Sequence, residues 1–198
     1  MSDIDYLRIG DIMHDINDNS HIQIEDIPEY KLYISQIEEL FEKKLGNIDE
    51  LDDDKKVLSK TMIQNYIKDG LVMPPDGKSY NKNHIILLIF IYNLKSILTI
   101  KDIKKLLFPL IDIAQSDSEK IDIIYENYIK VRERLTDTYI ENFTDAVADV
   151  YEDFELEQFA QEWPKESNII FIVFLLVLQA DMCKKTAEYL IDTCLSND

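Results

Sequence analysis

Glycine and proline are scarce in this 198-residue chain, at 4 and 5 residues, and that scarcity excludes a turn-rich β fold. Cys183 and Cys194 are its 2 cysteines, too few for a disulfide scaffold. On a helix they return to one face after three turns at roughly 16 Å, too far apart to bridge each other. They are expected to be reduced core residues, with pairing across a symmetric dimer left open. The 3 histidines, His14, His21 and His84, show no zinc-ligand spacing with the cysteines, so neither metal nor cofactor is expected. There is no glycine-rich phosphate loop and no nucleophile elbow, so no catalytic residue is nominated and an enzyme is the weakest reading. The longest apolar run, Ile169 to Leu178, is about half of a bilayer span and predicts a buried core helix rather than a membrane segment. The N-terminus lacks the basic start of a secretory signal, and the expected location is cytoplasmic.

Acidic residues dominate what is present. Asp and Glu number 39 against 21 Lys and Arg, a net charge of −18, which argues against a protein that coats nucleic acid or lies on an anionic membrane. With 46% apolar and 10% aromatic residues the chain can fill a core, which excludes intrinsic disorder. The charge is uneven: residues 1–54 carry −12, residues 55–108 carry +7 and residues 109–198 carry −13. The central lysines either neutralise the acidic flanks within the fold or present a local field to an anion, since screening confines a field to about 8–10 Å. Charge alone leaves both readings open.

Residues 1–28 read as a partly ordered acidic arm ended by Pro28. Within it Asp15, Asn17, Asn19, Ile22 and Asp26 approach the spacing of a calcium loop, but Ser20 replaces the turn glycine, so a solvated loop is the stronger reading. Apolar spacing predicts a helix from Tyr30 to Leu45, with Ser35 and Glu38 as a capping pair and Gly46 as its end. Asn47 to Lys56 reads as a solvated loop. A second helix is predicted to start near Ser59 or Thr61, where Thr61 with Gln64 has capping-box spacing, and to stop at Asp69 and Gly70. Leu71 to Met73 then read as a short strand, with a turn at Pro74 to Gly77 and a return through Ser79 and Tyr80, which makes a small hairpin. Asn81 caps a central helix, His84 to Ile97, and Thr99 with Asp102 caps a short helix through Leu107 that Pro109 ends.

That order of elements is a winged helix-turn-helix. The residues Met62 to Leu71, then Gly77 to Tyr80, then Leu94, Lys95, Thr99, Ile100, Ile103, Leu106 and Leu107 resemble the DNA-binding domain of MerR-type regulators. Overall the chain resembles, over a core at Thr61 to Leu107, the uncharacterised bacterial family catalogued as domain of unknown function 1836. The MerR resemblance implies that the helix at Thr61 to Asp69 enters the major groove of double-stranded DNA and that the wing lies along the phosphates. Lys60, Gln64, Asn65 and Lys68 would then face DNA, Tyr66 would hold a phosphate or the helix packing, and Lys78, Tyr80 and Lys82 would belong to the wing contact. Gln64 and Lys78 stand where that family has arginines, and residues 55–108 contain no arginine. Lysine lacks the guanidinium fork, so weaker binding is expected.

Between residues 116 and 160 the apolar positions follow a 3.6 period without glycine or proline, which predicts one long helix or two broken near Thr136 to Thr138. Trp163 and Pro164 mark a turn into the apolar helix from Ile169, which continues through Cys194. Tyr125, Tyr128, Tyr139, Phe143, Tyr151, Phe154, Phe159 and Trp163 are candidates for an effector pocket, although aromatics at helical spacing are more often plain core. The fold expected is mainly α: a winged helix-turn-helix at 29–109 with a small β-hairpin wing, then an all-helical bundle at 110–198 that forms a homodimer or senses an effector. The expected function is a DNA-binding transcriptional regulator. The alternative is a non-enzymatic module that uses the same scaffold for protein contacts.

Overall fold

The computed structural model describes residues 8–18, 21–46, 57–153 and 167–195. The protein is mainly helical, with seven α-helices among the described residues and a sheet of two short strands. In chain order they are α1 (Ile9–Asp18), β1 (Leu32–Tyr33), α2 (Ile34–Leu45), α3 (Lys60–Lys68), β2 (Ser79–Tyr80), α4 (Lys82–Leu94), α5 (Ile100–Ser116), α6 (Ser118–Asp153) and α7 (Ser167–Cys194). A 3-10 turn at Ile24–Asp26 precedes β1. The chain forms two compact units, one of residues 19–130 with 186–198 and the other of residues 1–18 with 131–185.

The larger unit is built around α4, whose residues from Asn83 to Ile91 are all buried. A helix apolar on every side cannot face water, so its neighbours must surround it. Phe41 on α2, Ile63 and Tyr66 on α3, Ile103 and Leu107 on α5 and Tyr125 on α6 share its core. Asn81 caps α4, its side chain accepting from the His84 N–H while His84 Nδ1 accepts from the Asn81 N–H. Of the expected arm, the described residues 21–28 adjoin the core of the larger unit. Ile22 and Ile27 are core, and Tyr125 Oη donates to the Ile22 carbonyl.

Several local expectations change for identifiable reasons. Helix α2 begins at Ile34, not Tyr30, because Leu32–Tyr33 pair antiparallel with Ser79–Tyr80. Its cap is the Tyr33 N–H donating to Gln36 Oε1 at 2.9 Å, in place of Ser35 with Glu38. Gly46 does cap its end, in right-handed geometry at φ −67°. Leu71 to Met73 form no strand: all three are buried, with none of the alternation of a half-exposed strand, and the following Pro74 and Pro75 have no N–H to give a ladder. The reversal is a tight turn in which Asp76 and Ser79 exchange both backbone hydrogen bonds at 3.1 Å, with Gly77 at φ +63°. Helix α4 stops at Leu94, short of Ile97.

Pro109 does not end its helix, which runs on to Ser116. Ile103, Leu107, Ile111 and Ala114 bury one face of α5 while Pro109 is exposed on another, so the proline costs the helix one hydrogen bond and leaves its buried face intact. Helix α6 passes Thr136 to Thr138 unbroken. Its buried residues form two groups: Ile121, Tyr125 and Ile129 belong to the larger unit, and Ile140, Phe143 and Val147 to the smaller.

The smaller unit packs Ile9 and Met13 of α1 and Ile172 of α7 against that second group. A Cβ at Gly10 would lie 3.3 Å from Thr144 Oγ1, so glycine lets α1 approach α6 closely. Asp15 and Asn17 lie within α1, with Asn17 Nδ2 donating to the Met13 carbonyl, and Asp26 is paired with Lys44 Nζ at 2.7 Å. Helix and ion pair take the place of the solvated loop expected there and of its calcium alternative, while Asn19 and Ser20 lie outside the described residues. No group of three or more metal-ligating side chains is placed to hold an ion among the described residues.

Both cysteines are exposed, not core. The apolar run from Ile169 is not a buried helix either: Ile172 is buried, but Ile170, Phe174 and Val177 are each at least half exposed. No helix among the described residues is long and apolar enough to cross a membrane. The expected loop at Asn47 to Lys56, with Asp52 to Asp54, and the turn at Trp163 and Pro164 lie outside the described residues, as do Phe154 and Phe159.

Candidate nucleic-acid interface

Helix α3 starts where Ser59 Oγ accepts from the Met62 N–H at 3.3 Å. It ends in a Schellman motif: Leu71 N–H donates to the Tyr66 carbonyl and Gly70 N–H to the Ile67 carbonyl, with Gly70 at φ +73°. Leu71 is fully buried just beyond, which anchors the helix end to the core. Between these caps Ile63 and Tyr66 point inward, and Lys60, Gln64, Asn65 and Lys68 are exposed. Lys60, Gln64 and Lys68 stand at i, i+4 and i+8, one above another on one face.

That face borders a groove of about 630 Å³. Lys60, Gln64 and Ile67 of α3 form one wall, Tyr33, Ile34, Ser35 and Glu38 around the start of α2 another, and Pro75, Gly77, Lys78 and Tyr80 of the turn the third. The structure therefore brings Lys60, Gln64, Lys78 and Tyr80 together, while Asn65 and Lys68 are exposed on α3 outside the groove lining. Its lining is partly apolar and aromatic, with Tyr33, Ile34, Ile67 and Tyr80. Glu38 Oε1 accepts from the Lys60 backbone N–H at 2.8 Å, which ties α2 to the start of α3.

Three nominated residues occupy other surroundings. Tyr66 is a core residue, and burial raises its phenol above the usual value, so of its two expected roles the structure places it in the packing. Tyr80 is 3% exposed, its ring edge-on to His84 at 5.5 Å, and burial raises its phenol as well. Lys82 is committed inside the fold: its ammonium lies 2.6 Å from Glu29 and 3.1 Å from Asp122, with the side chain only 12% exposed. Burial pushes its pKa down, and the hydrogen bonds to those two carboxylates outweigh burial and leave it raised.

Other lysines of the basic segment are likewise engaged. Lys95 Nζ donates to the Val57 carbonyl and lies over the Tyr92 ring, Lys104 Nζ donates to the Asp69 carbonyl, and Lys105 pairs with Asp192 at 2.6 Å. Lys60, Lys68 and Lys78 make no ion pair with another described residue. The acid nearest in sequence to Lys78, Asp76, is neutralised by Lys31 at 2.6 Å, and that hydrogen bond lowers its carboxyl below the usual range. The positive block thus divides into lysines that hold the fold and lysines that face outward.

Sequence reasoning missed Tyr33, Ser35 and Glu38 as groove walls. Glu38 meets α3 across 22 residues of chain, a separation that spacing rules do not reach. Of the aromatic pocket candidates, Tyr125 and Tyr128 pack on Phe90 in the core of the larger unit, and Tyr139 stacks on Phe143 in the smaller.

A family model described as domain of unknown function (DUF1836) matches residues 22–128. No curated protein and no solved structure matches the chain.

Proposed function

This chain belongs to that family of domains of unknown function, and on that premise we propose that it is a DNA-binding transcriptional regulator whose larger unit acts as a MerR-like winged helix. In this reading α3 enters the major groove and the turn at Asp76–Ser79 is the wing. The observation that carries it is the outward row Lys60, Gln64 and Lys68, with Asn65 exposed beside it and Lys78 across the groove, in a segment where Lys82, Lys95, Lys104 and Lys105 are engaged within the fold. Glutamine and asparagine can each read an adenine edge through two hydrogen bonds, and lysines supply the phosphate attraction that any sequence offers. Burial of Tyr66 and Tyr80 and the ion pairs of Lys82 remove those three from the proposed contact set, which keeps three lysines per chain.

Those three lysines fix the size of the test. Neutralising about three phosphates gives a log K against log salt slope of about −3 for one chain, and about −5 for two chains on one site. Fluorescence anisotropy on AT-rich and mixed duplexes at low ionic strength should show affinity with a slope in that range. Replacing Lys60, Lys68 and Lys78 with Glu should abolish it while leaving the circular dichroism spectrum unchanged. No salt-sensitive binding to either duplex would sink the reading.

The apolar part of the groove, with Glu38 in its wall, favours a second reading, in which this surface takes a protein segment. In that case the same charge reversals leave partner recovery in a pull-down unchanged, and a groove substitution such as Ile67→Asp abolishes it.

A further inference from the structure

We infer that the exposed face of α7 in the smaller unit is the contact surface for a second copy of this chain. Helix α7 reaches the core of that unit through Ile172, with Leu175 and Leu176 packed beside it. Its other side carries Ile170, Phe171, Val173, Phe174, Val177 and Leu178, each between 42% and 66% exposed. At 100° per residue these six fall within one arc of the helix opposite Ile172, so they form a single stripe rather than scattered positions. A chain with 30% charged residues has none from Ser167 to Ala180.

Area and charge select the occupant. A phenylalanine side chain can bury roughly 150–250 Å² and aliphatic ones somewhat less, so the six leave on the order of 500 Å² in water. A solitary soluble protein rarely exposes a larger apolar patch. Two such stripes meeting would remove on the order of 1,000 Å² from these side chains alone, the size at which a specific interface begins, and the flanking groups add to it. A twofold contact needs a surface complementary to itself, and an uncharged apolar stripe meets that condition. Two molecules of charge −18 can approach there because the contact surface itself holds no like charges and those farther off are screened beyond about 8–10 Å. A partner recognised by charge would need acids within the stripe, and an anionic lipid surface would be repelled by this protein.

The inference does not rest on DNA binding and is tested without it. Light scattering from the full chain at micromolar concentration should give twice the 23.3 kDa chain mass; a monomer mass overturns the inference. Phe174→Asp should yield the monomer mass with unchanged helicity, and a variant that keeps the dimer mass places the contact elsewhere and overturns it too. Should that variant fail to fold, Val177→Cys with Cys183 and Cys194 changed to Ser gives an independent answer. Oxidation should link two chains through residue 177, and a lack of linked dimer counts against the proposal. Sedimentation of the native chain with phosphatidylcholine vesicles would also overturn it, since lipid would then be the occupant.

Discussion

His84 is a buried imidazole at the start of α4 that also touches the chain leading into the turn. With the proton on Nε2 it donates to the Pro74 carbonyl at 3.3 Å while Nδ1 accepts from the Asn81 N–H at 3.2 Å. Burial lowers its pKa, the backbone contacts offset this in part, and the Lys31 charge lowers it further. The unfolded chain, with histidine near about 6.5, therefore binds this proton more readily than the folded one, so stability falls as pH drops below that value. Urea midpoints taken on either side of it should decline on the acid side, and His84→Gln should lose that part of the decline. Lys82 makes a second residue-scale case. Lys82→Ala strands Asp122, which is 29% exposed, and should cost about 1–3 kcal/mol of stability while leaving the DNA affinity of the folded protein unchanged. Sequence reading could nominate Lys82 because a lysine beside a turn looks available. What makes it unavailable is Glu29 and Asp122, 53 and 40 positions away, and no local pattern announces partners at that distance.

Elements were legible where one local signal decided them. The Asn81 and Thr99 caps and the Gly70 stop of α3 each depend on residues within one turn and stand as expected, and of the two expected starts of α3 the structure takes Ser59 over Thr61. Two glycines show how a shared residue type splits by geometry. Gly70→Ala forces a side chain into the left-handed region at φ +73° and should cost about 1–2 kcal/mol in thermal or urea melts. Gly46, at φ −67°, carries no such penalty. Pro109 is the opposite case: read locally it stops a helix, yet burial of Ile103, Leu107, Ile111 and Ala114 on one face outweighs the lost hydrogen bond. Pro109→Ala restores that bond within α5 and should stabilise the protein by about 1–3 kcal/mol, measured by urea denaturation. The pairing of β1 with β2 was hidden from the sequence because Leu32–Tyr33 and Ser79–Tyr80 are two-residue strands, too short for alternation to appear, and their register depends on contacts across α2 and α3.

The charge of the whole molecule acts on stability and on the proposed DNA contact with opposite signs. At −18 the folded chain repels itself, because a compact chain holds like charges closer together than an expanded one does. Salt screens that repulsion, so raising sodium chloride from about 50 to about 300 mM should raise the melting temperature, by about 2–4 °C for each kcal/mol of repulsion removed. The same ions compete with Lys60, Lys68 and Lys78 for phosphate, so affinity for a duplex should fall over the same interval. The triple replacement of those lysines by Glu separates the two effects. It makes the chain more negative, so the salt-dependent gain in melting temperature should grow while the DNA response disappears. Were the melting temperature to fall with salt in the native chain, the ion pairs that join Lys31 to Asp76, Lys82 to Glu29 and Lys105 to Asp192 would outweigh the bulk repulsion. The basic block would then serve mainly to hold the fold together, and the outward lysines of α3 would be left as its one feature directed at a partner.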